Sequence, residues 1–282
     1  MNNNQKIAVN SLVQYVRLVL SAIIALYSVR IILRALGASD FGIYNVVAGV
    51  VAMLGFINSS LSQTTIRYIS VNLGIGNDHN IRETFNSCLW LHILLAIALF
   101  ILLEIVGFFF FEAILNIDPE RVFAAKIIYQ CMLITLVVTV SFAPFSALLI
   151  AHEHFLFISV ITLLDSLAKL GIAFLLLNYS QDRLIMYGLL MMLVTIVNYI
   201  CYISFVYIKY RKEAYVGKCE LKKVRSLTSL TGWTLLDVLS NVMSRHGFSV
   251  VLNFFLWHLG KCCLCCSKTD RKSNVYYFVC NN

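Results

Sequence analysis

Charged residues are scarce in this sequence, where Asp, Glu, Lys and Arg together make up 13% of the 282 residues. A soluble domain carries roughly 25% of them, because its surface must be compatible with water. Proline is also rare, with only two residues, whereas apolar residues make up 60% and the mean hydropathy is +0.83. This shortage of charge excludes an ordinary soluble protein.

The apolar residues fall in runs of roughly 20, the length that crosses about 30 Å of hydrocarbon as a helix. They predict an all-α polytopic membrane protein with seven spans, at about 11–33, 42–66, 87–111, 123–150, 155–178, 184–208 and 227–256. Residues 1–208 are predicted to form a six-helix N-terminal lobe. A basic linker at 209–226 follows, and the seventh helix occupies 227–256.

The net charge of +8 comes from basic residues that lie mostly between the apolar runs. That distribution is typical of cytoplasmic loops and not of a basic groove, so we expect no nucleic-acid partner. The linker alone holds seven basic residues: Lys209, Arg211, Lys212, Lys218, Lys222, Lys223 and Arg225. Because Lys and Arg favour the cytoplasmic side, the N-terminus is predicted to be cytoplasmic.

Ionisable residues inside the spans are the first candidates for function, since each costs about 2.5 kcal/mol or more at the bilayer centre. Arg17 and Arg30 lie in the first span, where snorkelling to an interface and facing an aqueous cavity both remain open. Asp165 and Lys169 are four residues apart in the fifth span, so they can pair as an interhelical bridge or an ion-coupling site. The same two roles are open for Glu104, and Asp237 makes the seventh span unusually polar.

No arrangement of residues indicates an enzyme, because the sequence has no nucleophile–base pair and no glycine-rich phosphate loop. His152, Glu153 and His154 are adjacent on a predicted turn and would not converge on one ion. We therefore expect neither a metal site nor a cofactor.

Three segments carry a family resemblance: Tyr27–Tyr44 (YSVRIILRALGASDFGIY), Thr64–Ser70 (TTIRYIS) and Gly247–Phe255 (GFSVVLNFF). With them, the chain resembles the Wzx-type polysaccharide flippases of the MOP superfamily, which are relatives of the multidrug MATE exporters. The resemblance implies two six-helix lobes around a cavity, alternating access, and a bacterial inner-membrane location. It also implies a cargo of polyprenyl-pyrophosphate-linked oligosaccharide, as used in lipopolysaccharide assembly, and contact with other glycan-assembly membrane proteins.

The resemblance assigns candidate roles to the arginines of the spans. Arg17, Arg30 and Arg245 are the implied cationic cavity for a diphosphate, since Arg suits phosphate geometry. Arg67 is the implied inner-gate residue, although the positive-inside rule also accounts for it.

The C-terminal segment 257–282 departs from the family. It holds five of the nine cysteines, Cys262, Cys263, Cys265, Cys266 and Cys280. A one-base shift of the reading frame can convert Lys261–Asp270 into a segment that begins Asn-Ala-Ala, as in flippases of this kind. We therefore hypothesise that a frameshift near residues 255–257 truncated a longer transporter, which leaves transport by this chain alone in doubt.

Three other functions remain open at this point. The first is a MATE-like multidrug exporter driven by a cation, for which Glu104 or Asp165 could serve as the coupling acid. The second is a non-transporting membrane subunit or a degenerate product. The third, a membrane-bound glycan transferase, usually has large outer loops, and every predicted outer loop here is short.

Overall fold

The computed structural model describes residues 3–52, 55–76, 78–113, 119–179 and 182–214, together with residues 217 and 240. Except for residue 240, they belong to one compact unit, Met1–Leu235. This part of the chain contains six helices: α1 (Asn3–Ala52), α2 (Gly55–Ile75), α3 (Asp78–Ala113), α4 (Pro119–Ala151), α5 (Phe155–Leu177) and α6 (Arg183–Lys209). The all-α prediction is therefore confirmed. The predicted seventh helix at 227–256 and the tail at 257–282 lie outside the described residues.

Helix α1 consists of two limbs, because Gly37 has non-helical torsion angles (φ 81°, ψ 169°) in its interior. Positive φ is a conformation that glycine adopts without a Cβ penalty. On the first limb, Ala35 lies beside Arg183, at the start of α6, and Arg17 lies near Tyr202, in the second half of that helix.

The second limb of α1 begins near the same end of α6, the end at Arg183. Tyr44 packs against Tyr187 with ring centroids 4.8 Å apart, just inside that end. The chain therefore reverses at Gly37, which lies between the first two predicted spans. We call this end of the lobe the Gly37 end and the opposite one the His152 end.

Helix α4 lies at the centre of the bundle and packs against each of the other five helices, and α1 packs most extensively against α5. Two apolar cores follow one another along α4. The core at the Gly37 end includes Ile128 and Leu133, and the core at the His152 end includes Phe145 and Leu148. Burial of these side chains is what joins the helices within the lobe.

Five of the described helical segments are long and apolar enough to cross a membrane: Val9–Gly49, which includes the reversal at Gly37, and His79–Phe109, Arg121–Ala151, Phe155–Leu177 and Arg183–Lys209. Helix α3 begins at Asp78, well before the predicted span at 87–111. Hydropathy marks only the apolar part of a helix, and the backbone hydrogen bonds continue into the polar residues that precede it. The outer surface is rich in large apolar side chains such as Leu26, Leu94 and Ile208.

Candidate functional site

At the Gly37 end, an ionic network around Arg121, at the start of α4, joins neighbouring helix ends. Arg121 lies 3.5 Å from Asp40 and 3.4 Å from Asp182, which are the contacts between guanidinium nitrogens and carboxylate oxygens. Asp182 also caps α6 by accepting a hydrogen bond from the Leu184 amide at 3.1 Å. Arg183 donates to the Ala35 carbonyl at 2.9 Å, at the chain reversal. Because each member already has a protein partner, this network is structural.

A layer of polar side chains separates the two apolar cores. On α3, His92 is fully buried, between the Phe85–Phe145 contact on one side and the Leu103–Tyr129 hydrogen bond on the other. On α6, Tyr199 makes a side-chain hydrogen bond with Thr139 of α4 at the same depth. Polar groups so deep in a membrane lobe need protein or water partners. The layer is therefore the candidate site.

Asp165 of α5 is the centre of this polar layer. One carboxylate oxygen, Oδ2, lies 2.7 Å from the Lys169 ammonium, one helical turn along α5. The other oxygen, Oδ1, accepts a hydrogen bond from the Asn198 amide of α6 at 2.6 Å. The carboxylate is therefore held both within its own helix and across to the next one.

Helix α1 completes the site from the other side of α5. The hydroxyl oxygens of Ser166 and Ser21 lie 3.5 Å apart, so the two helices approach each other closely at this depth. Arg17 lies one turn before Ser21 and acts electrostatically on the Tyr202 hydroxyl, as Asp165 also does. The structure thus brings three sequence-predicted residues, Arg17, Asp165 and Lys169, into one layer on neighbouring helices.

The other predicted site residues lie elsewhere. Arg30 is exposed near the Gly37 end of α1, and Arg67 is exposed on α2 toward the His152 end. Glu104 accepts a hydrogen bond at 2.9 Å from Gln130, which joins α3 to α4 away from the Asp165 site. Asp237 and Arg245 lie outside the described residues, so their predicted roles stay predictions.

Sequence reasoning missed the neutral partners in the layer, above all Asn198, Tyr202 and His92. A search for charged residues in apolar spans does not find them. An amide in the apolar stretch of α6 was the available signal, because an Asn inside a membrane span usually makes a hydrogen bond to another helix.

A second polar cluster, which we call the linker latch, lies at the His152 end. The His152 ring lies 2.7 Å from the Glu213 carboxylate and stacks on Tyr210 with centroids 3.9 Å apart. His154 hydrogen-bonds to the Tyr210 hydroxyl at 2.5 Å. These contacts join the α4–α5 turn to the chain that follows α6. Each histidine thus has a hydrogen-bond partner in the segment that follows α6. The linker latch therefore has a structural role.

Electrostatics favours the neutral form of one latch histidine. Burial lowers the pKa of His154 below its usual value of 6.5, with the charges of Lys209 and His152 adding to the effect. Burial also raises the pKa of Tyr210, and the Glu213 carboxylate adds to that shift. His154 and Tyr210 therefore pair as neutral groups.

Comparison with known proteins relates this arrangement to transporters. No family model and no curated protein matches the sequence. The fold is similar to a solved structure of an outward-facing multidrug resistance MATE family transporter of the MOP superfamily, with a TM-score of 0.65 and 15% identity. The match covers 86% of this chain and 54% of that one, so the chain spans about half the length of that structure. The protein is therefore a multi-pass membrane protein whose described helices have the fold of part of a MATE-type transporter.

Proposed function

We propose that this chain forms one lobe of a flippase that moves polyprenyl-pyrophosphate-linked oligosaccharides across the bacterial inner membrane by alternating access. Its partners are the lipid bilayer, the lipid-linked cargo and the membrane proteins that assemble the glycan. The fold supports a transporter, and the resemblance of Tyr27–Tyr44 and Thr64–Ser70 supports the flippase branch.

The observation that carries the proposal is the presence of two arginines, Arg17 and Arg30, on the first limb of α1. Arg17 lies near Tyr202 of α6, and Arg30 lies about 20 Å further along α1, at 1.5 Å per residue. Arg30 is exposed, and it makes no hydrogen bond or ion pair to another described residue. A cargo that carries two phosphates requires fixed cations along its path, and guanidinium groups bind phosphate oxygens in a bidentate manner.

A MATE-like exporter driven by a cation is the second candidate, favoured by the acid Asp165 and its Asn198 partner inside the lobe. In this chain, however, the Lys169 ammonium already lies 2.7 Å from the carboxylate. A tethered ammonium there competes with any free cation for the same oxygen. The pairing therefore favours the flippase over a cation-driven exporter.

The proposal is tested by complementation of cells that lack their own oligosaccharide flippase. We compare the gene as it stands with a version whose reading frame is restored near residues 255–257, and we measure export of the glycan. In the form that exports, Arg30→Ala should reduce export about tenfold or more, the effect of one lost charge-assisted contact. Arg30→Lys should retain part of the activity.

The matched control is Lys126→Ala, because Lys126 is an exposed cation on a different helix, α4. Export that is equally insensitive to Arg30→Ala and Lys126→Ala would overturn the role of the α1 cations. If neither reading frame exports glycan but the protein confers drug efflux, the exporter is the better description.

A further inference from the structure

The polar layer contains more positive than negative charge. Among the described residues, the charged side chains at this depth are Arg17, Lys169 and Asp165, two cations and one anion. A surplus charge in a low-dielectric region is unfavourable unless an opposite charge or water reaches it. The layer therefore favours the arrival of an anion from outside the lobe.

The ion pair within the layer is a weak structural element. Lys169 and Asp165 both belong to α5, so their contact does not hold α5 to another helix. The Asn198 amide makes that connection, at 2.6 Å from the carboxylate. Removal of the ammonium from Asp165 therefore leaves the α5–α6 contact in place.

Lys169 has the freedom to change its partner. Its side chain is 37% exposed, whereas that of Asp165 is 19% exposed. A lysine ammonium has three N–H donors on a flexible stem, and Asp165 is the one described residue with which it forms an ion pair. One N–H donor is enough for the contact with the carboxylate, so the other two can serve a further acceptor.

We propose that Lys169 is an anion-binding residue whose ammonium moves from Asp165 to a phosphate of the lipid-linked cargo. Asp165 is then the resident counter-ion of the empty transporter, and Asn198 holds its carboxylate while the ammonium is engaged elsewhere. Arg17, on the neighbouring helix, supplies the second cation. This inference rests on the proposed function, because it names the residue that receives the diphosphate.

The test measures binding of farnesyl diphosphate to the purified protein in lipid nanodiscs, with farnesol as the probe that lacks phosphate. Lys169→Gln should weaken binding about tenfold or more, as expected for one lost charge-assisted hydrogen bond. Asp165→Asn should strengthen binding several-fold, since it removes the competing anion and preserves a partner for Asn198. Lys169→Arg should keep most of the affinity, and Lys126→Gln is the lysine control.

The opposite signs of the two effects separate this inference from a structural role. A structural ion pair predicts that both variants lose affinity together, through damage to the same contact. The double variant Asp165→Asn/Lys169→Gln has neither charge, and it should fold and bind as weakly as Lys169→Gln alone. A double variant that binds like the wild type would overturn the inference.

Two further outcomes keep the inference apart from the proposed function. If Lys169→Gln and Asp165→Asn leave the affinity unchanged and Arg17→Gln lowers it, the inference is wrong and the flippase proposal stands. If the wild-type protein binds farnesyl diphosphate no better than farnesol, both are wrong.

Discussion

At the residue scale, one close contact between helices depends on a glycine. A Cβ atom added to Gly107 of α3 would lie 2.5 Å from Cε1 of the Tyr129 ring. The Tyr129 side chain is buried, and its hydroxyl donates a hydrogen bond to the Leu103 carbonyl. The ring therefore has little room to move away. The close approach of α3 to α4 depends on the absence of a side chain at Gly107, as at many contacts between membrane helices.

We accordingly expect Gly107→Ala to lower the stability of the lobe by about 1–3 kcal/mol, the usual cost of overpacking. The measurement is the thermal unfolding midpoint of the protein in detergent. Gly171→Ala is the matched control, because Gly171 is also helical and has no neighbouring atom within 4 Å of an added Cβ. Equal midpoints for the two variants would mean that the α3–α4 contact is less close than described.

At the element scale, the linker latch joins three parts of the chain at the His152 end. Besides the histidine contacts, the Gly217 amide donates a hydrogen bond to Asn86 at 3.2 Å, and Trp90 donates to the Gly217 carbonyl at 3.4 Å. Ala214 is fully buried in the nearby apolar core. The start of the predicted linker at 209–226 is therefore held against the lobe.

The latch should loosen in mild acid. His154 has a lowered pKa in the latched state and the ordinary value of about 6.5 when released, so the released state binds protons more readily. Neutral His154 thus makes its full contribution to the stability of the latch above pH 6.5. This contribution decreases as the pH falls below that value. Protonation places a positive charge beside Lys209 and His152.

The measurement is hydrogen–deuterium exchange of residues 210–214 between pH 7.5 and 5.5, corrected for the intrinsic pH dependence of exchange. We expect faster exchange at the acidic end. His154→Gln can still hydrogen-bond to Tyr210 but does not titrate, so it should flatten the profile. A profile that is identical in this variant would contradict the role of His154 in the pH response.

At the scale of the whole molecule, the contacts establish which helix ends lie together, and the basic linker predicts which of them is cytoplasmic. Asn178 is exposed after α5 at the Gly37 end, and Arg211 is exposed after α6 at the His152 end. By the positive-inside rule, the Gly37 end should face away from the cytoplasm.

Labelling with a membrane-impermeant maleimide tests this orientation. In a cysteine-free background, Asn178→Cys should react in intact cells, and Arg211→Cys should react only after the membrane is opened. Native cysteines must be replaced, although the described Cys88 and Cys131 are buried. The reverse pattern would invert the predicted topology, and with it the direction of transport.

The sequence by itself determined the class of this protein and the order of its helices, because long apolar segments with few charges have one stable environment, the bilayer. It also identified Arg17, Asp165 and Lys169, since a charge in an apolar span is visible without a structure. Only the tertiary structure decided that these residues share one layer, that Asn198 and Tyr202 belong to it, and that Glu104 does not. Depth along a helix can be counted from the sequence, but the neighbours at that depth depend on how the other five helices pack around α4.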